Sequence, residues 1–210
     1  MTEPAGRRAA VSPGRRERLT RRGVRLERAT LGWNVVEIGF LVAAAVSARS
    51  VALAGFALDS CIEIFASIVV IGELTGAGDP VREQRALRRI GLAFCALAVF
   101  IVVQAALTLG LGIRPQTSPL GITWLAATVV VMLGLAWGKA RTGAELGNAV
   151  LSAEARVTVM DALLAAGILA GLVLNAALGW WWADIAAGAL LVAYGIREGR
   201  HHLRAGTSAR

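Results

Sequence analysis

The sequence predicts an all-α polytopic membrane protein with six transmembrane helices and both termini in the cytoplasm. Three observations carry that prediction. Of 210 residues, 56% are hydrophobic and 17% charged, and the mean hydropathy is +0.63; a soluble domain of this length keeps a larger charged surface. The apolar residues fall in runs close to the ~20 residues that cross a bilayer. The charges are confined to the gaps, with nine arginines in residues 1–30 alone.

Residues 1–30 form a basic arm with no core of its own, expected to be disordered or to lie on anionic lipid. This arm is too long for a signal-peptide n-region and no small-residue cleavage site follows, so the first apolar run is expected to be retained. The spans are read at 31–48, 51–73, 90–112, 119–138, 148–175 and 180–197, giving a transport-sized domain over 31–198. "SARS" (47–50) closes a tight hairpin between the first two. Loops are read at 75–89, 112–119 and 138–148, and "NAALGWW" (175–181) marks the last turn. Trp180, Trp181 and Trp182 suit a membrane–water interface, and Asp184 suits the cap of the sixth helix. Residues 199–210 are a short basic tail in which His201 and His202 are solvated.

Orientation follows from lysine and arginine. With the N-terminus inside, 19 of the 22 basic residues are cytoplasmic, Lys139 and Arg141 among them in the fourth loop; this is the positive-inside pattern of a cell inner membrane protein. The net charge of +8 therefore reads as contact with anionic headgroups. Nucleic acid is disfavoured as a partner, because no basic face on a folded domain carries the charge. Cys61 and Cys95 have no metal-ligand spacing and read as small buried apolar residues. Neither a cofactor nor enzyme chemistry is expected.

The chemistry lies in the acids. Glu37, Asp59, Glu63, Glu154 and Asp161 fall inside predicted spans, and Arg156 is the only basic residue read well inside one. An ionised side chain at the bilayer centre costs about 2.5–3.5 kcal/mol on insertion scales, so such residues face a partner or a cavity. Asp59 and Glu63 are four apart, and Glu154 and Asp161 seven apart, so each pair shares a helix face. At 1.5 Å per residue, Glu63, Asp59 and Asp161 lie roughly 15–21 Å from the inner edge, one layer near the midplane. Glu37 and Glu154 are placed together nearer the inner edge, roughly 9 Å deep. Three carboxylates at one depth suit a hard divalent cation. Their mutual repulsion lets protons compete with that cation. Asn34, Ser60 and Thr158 stand beside the acids as supporting groups, or bond their own helix backbones.

"SVALAGFALDSCIEIFASIVV" resembles the second helix of the cation diffusion facilitator family, with Asp59-Ser60 and Glu63 on its metal positions. "RVTVMDALLAAGILAGLVLN" followed by "GWWWADIAAGALLVAYGIREG" resembles its fifth and sixth helices, with Asp161 on the metal-binding Asp and Asp184 on an outer Asp. The resemblance covers about residues 30–200. It implies a homodimer that exports a divalent metal by alternating access, in exchange for protons. It departs from the family at Val157, where the pattern has His, at Glu63, where it has Asp, and in lacking the cytoplasmic metal-sensing domain. Glu154, one turn from Val157, is the candidate fourth ligand.

The expected function is thus proton-coupled efflux of a divalent cation such as Zn²⁺ or Mn²⁺, held by Asp59, Glu63, Asp161 and Glu154. Two alternatives remain at this stage. A proton-coupled exporter of organic cations would need aromatic walls around its carboxylates, and aromatics are 6% of the chain. A non-transporting membrane partner derived from the same fold would need no working site.

Overall fold

The computed structural model describes residues 12–48, 51–76, 80–112 and 118–180, with positions 192, 193, 196, 197, 199 and 200 near the C-terminus. Five long helices follow one another: α1 (Pro13–Ala48), α2 (Val51–Thr75), α3 (Pro80–Gly110), α4 (Pro119–Leu146) and α5 (Ala149–Leu178). All five are long and apolar enough to cross a membrane. Among the described residues there is no strand. The sixth predicted span lies largely outside the described residues, as do Trp181, Trp182, Asp184, His201 and His202.

The helices run up and down. Gly23 of α1 meets Leu74 of α2 and Leu151 of α5, and Arg15 pairs with Glu145 at the end of α4. Those contacts gather the start of α1, the end of α2, the end of α4 and the start of α5 at one end of the bundle, the basic end. Gly121 of α4 meets Leu53 of α2 at the opposite end. α2 packs against α1, α3 and α5, while α4 packs against α1 and α5. Gly199 lies against Gly91 and Cys95 of α3, so the chain returns to that helix near its basic end.

The bundle is turned inside out relative to a soluble one. Val35, Val46, Phe65, Val99, Val130 and Trp137 are exposed on its outer faces, while Glu27, Asn34, Glu63, Lys139 and Asp161 are buried within. An apolar exterior of this extent is what lipid covers. In α1 the buried stripe runs Glu27, Thr30, Asn34, Glu37, Leu41 and Ala44, a spacing of three and four that keeps one helix face inward.

Three expectations change here. The arm is helical from Pro13 and continuous with the first span. Pro suits the first helical position, Arg, Glu and Leu are good helix formers, and Leu19 and Gly23 find partners in the bundle. The fourth loop also shrinks to a tight turn. α4 continues through Lys139 to Leu146, where Gly147 takes the left-handed conformation at φ 63°, a shape glycine adopts without steric cost. Its neighbour Asn148 caps α5, accepting the Leu151 N–H at 2.7 Å. Lys139 is therefore a helix residue, fully buried. Cys61, expected to be buried, is exposed on the outer face of α2.

A buried carboxylate seam

Six carboxylates line the interior where α1, α2, α4 and α5 meet: Glu27, Glu37, Asp59, Glu63, Glu154 and Asp161. None is more than 3% exposed. They fall into three layers that differ in how their oxygens are satisfied.

The layer nearest the basic end is an ion-pair cluster. Lys139 Nζ lies 3.1 Å from Glu27 Oε2 and 3.3 Å from Glu154 Oε1, and it donates to Thr158 Oγ1 at 2.9 Å. Lys139 thus donates to Glu154 and Thr158, while Glu27 is held to it by charge. The Thr158 hydroxyl, accepting from Lys139, passes its own proton to the Glu154 carbonyl oxygen at 3.2 Å. The cluster joins α1, α4 and α5. A buried pair of this kind is costly to break because it leaves an uncompensated charge.

The layer toward the opposite end is a clamp around Glu37. Its Oε1 accepts from Trp124 Nε1 at 3.2 Å and from the Thr128 hydroxyl, and its Oε2 accepts from Ser60 Oγ at 3.0 Å. Trp33 Nε1 donates to Thr128 Oγ1 at 3.3 Å, which directs the Thr128 proton onto Glu37. Trp124 stacks on Trp33 at 5.1 Å and on Phe40 at 4.1 Å between centroids. The rings thus spend their faces on one another and their N–H edges on the clamp.

Between these layers lie Asp59, Glu63 and Asp161. Asp59 on α2 and Asp161 on α5 meet side chain to side chain within hydrogen-bonding range. Neither oxygen of Glu63 or of Asp161, nor Oδ2 of Asp59, has a hydrogen-bond partner among the described residues. Two carboxyls in contact and buried repel each other when both are ionised, and a proton or a cation between them relieves that repulsion. Glu63 is close enough to feel the charges of Glu27, Glu37, Asp59, Lys139, Glu154 and Asp161. Asn34, on the inner face of α1, donates to the Thr30 carbonyl at 3.0 Å, and its own Oδ1 has no partner.

The structure sets Asp59 beside Asp161, with Glu63 buried in the same seam, and places the other two acids in separate layers. Glu37 and Glu154 do not share a level. Glu37 sits with Ser60 and Thr128, Glu154 with Lys139 and Glu27. The depth estimate took residue 31 as the start of the first helix, which begins 18 residues earlier. Glu154, the candidate fourth ligand, has one oxygen on Lys139 and one without a partner. Among the described residues no three His, Cys, Asp or Glu side chains are grouped closely enough to hold a metal ion together.

Glu27 and Lys139 are absent from the sequence-based set. Both stood in stretches read as an arm and a loop. The helical spacing of Glu27, Thr30, Asn34 and Glu37, and of Thr128, Met132, Ala136 and Lys139, was the signal that would have found them. In comparison with known proteins, no family model and no curated protein matches the sequence.

Proposed function

We propose that the chain is a proton-coupled transporter of divalent metal cations, such as Zn²⁺ or Mn²⁺, in the cell inner membrane, with Asp59, Glu63 and Asp161 as the exchange site. The observation that supports this reading is the contact between Asp59 and Asp161, two buried carboxyls from different helices with no donor among the described residues at Asp59 Oδ2 or at either Asp161 oxygen. On this reading the arrangement described is the proton-loaded one. The shared proton holds the pair together, and Glu63, four residues from Asp59 on α2, stands in reserve. A divalent cation would displace the proton and draw Glu63 to it, through a shift of α2 against α5. Carboxylate oxygens are hard donors that suit Mn²⁺ and also serve Zn²⁺. Glu154 would join only by releasing Lys139, so its role as fourth ligand belongs to a second conformation. Six spans, cytoplasmic termini, export as the direction and a homodimer complete the proposal. They rest on the lysine and arginine bias and on the resemblance to cation diffusion facilitators.

The test is metal flux into proteoliposomes across a pH gradient, comparing Zn²⁺, Mn²⁺, Co²⁺ and Mg²⁺. At least one ion should move, and its movement should collapse the gradient. Absence of metal-dependent flux under either gradient direction would sink the reading.

A further inference from the structure

A second region of the molecule pairs charge with an apolar groove, away from the acid seam. Arg82, Arg85 and Arg89 of α3 recur at intervals of three and four, so they share one face of the helix. They line a cavity of about 380 Å³ between the end of α2 and the start of α3, with Phe65 and Gly72 in its wall and Glu73 as its one acid among the described residues. Among those lining residues, three guanidiniums face one carboxylate. Gly76 lies next to this cavity: a Cβ there would fall 2.5 Å from Arg82 Nη1, so a side chain at that position would push the guanidinium aside.

A second cavity, of about 580 Å³, shares Phe65 and Arg89 with the first and continues along the same pair of helices, away from the basic end. Its walls are apolar side chains such as Leu58, Leu92 and Phe100. The two together form a track with a cationic head at the edge of the apolar span and an apolar body within it. A soluble anion would be served by the first half alone, and an uncharged lipid by the second alone.

We propose that this α2–α3 track is a binding site for one anionic phospholipid, its phosphate on Arg82, Arg85 and Arg89 and an acyl chain along Leu58, Phe65, Leu92 and Phe100. Guanidinium groups match phosphate with paired N–H donors, and basic pockets between transmembrane helices are a known mode of headgroup recognition. The site does not depend on the transport reading.

The test uses the purified full chain in a nonionic detergent, titrated with phosphatidylglycerol, phosphatidylcholine or inorganic phosphate, and read by native mass spectrometry and thermal shift. Phosphatidylglycerol should bind at least tenfold more tightly than phosphatidylcholine and raise Tm. Arg85→Ala combined with Arg89→Ala should remove that preference. Arg88→Ala, which lies on the same helix but does not line the cavity, should keep it. Equal affinity for the two lipids, or a preference that survives the double substitution, would overturn the proposal. So would full displacement of phosphatidylglycerol by millimolar inorganic phosphate, which would mark a free-phosphate site. The wild-type comparison of lipids decides the matter even where a variant does not fold.

Discussion

Glu37 and Asp161 are both buried acids in the same seam, yet they are built in opposite ways. Glu37 receives three donors from two other helices, whereas Asp161 receives none among the described residues and faces another carboxyl. A carboxylate ringed by donors is held in place by them, because removing it would strand the donors. The seam therefore divides into a frame, made by the Glu37 clamp and the Lys139 cluster, and a middle of Asp59, Glu63 and Asp161 that is not held by donors among the described residues.

The comparison can be broken most directly in the middle. Asp161→Asn should lower metal flux by two orders of magnitude or more, with the protein still folded by circular dichroism. A variant that transports normally would remove the distinction between the two kinds of acid. Next is the frame. Lys139→Met leaves Glu27 and Glu154 buried without a counter-charge, and should cost about 3–5 kcal/mol of stability, measured as a fall in detergent Tm. Neutralising the same cluster with Glu27→Gln and Glu154→Gln on that background should recover most of the loss. If it does not, Lys139 acts through packing and the frame is not electrostatic.

Proton counting sharpens the middle further. Binding of Mn²⁺ should release at least one proton per ion, seen as a dependence of calorimetric heat on the buffer's ionisation enthalpy. No such dependence would mean that Asp59 and Asp161 share no proton. Glu37→Gln should be milder than any change at Lys139. The amide keeps one acceptor but turns a donor toward the clamp, for about 1–3 kcal/mol and only a few-fold in flux. Arg21→Ala, which removes an exposed pair with Glu17, should leave Tm unchanged within error, as exposed ion pairs do.

Much of this was legible in the residues. Each of the five described helices matches the apolar run read for it to within two residues at the ends of α3 and α5 and encloses it elsewhere, and the pairing of Asp59 with Asp161 agrees with the depth that helical rise gives them. The ends of the helices were not legible, and the frame was lost with them. Hydropathy reports which residues can touch lipid, and a helix does not stop where its lipid contact stops. "GRRERLTRRGVRLERAT" is polar on most faces, but its inward stripe of Leu19, Gly23 and Glu27 packs in the bundle. Lys139 sits in "GKARTGAEL", a stretch charged enough to read as a loop. Only the partners that α1 and α5 bring to it make its burial affordable, and those contacts are not visible in a linear sequence. Asp184 and the last predicted span lie outside the described residues and add nothing to either side.

The length of α1 has a mechanical meaning. At 36 residues it is about 54 Å long, against a hydrocarbon layer of about 30 Å. Its first four turns carry arginines in the zone where headgroup charge and salt act. The remainder carries Glu27 and Glu37, fastened at two points to α4. Such a helix is a lever with its fulcrum in the bundle. A pull on the arginine arm, from a change in surface charge or ionic strength, reaches both fastenings at once and without slack. The charged end of α1 and the frame around the inner acids are thus parts of one continuous element.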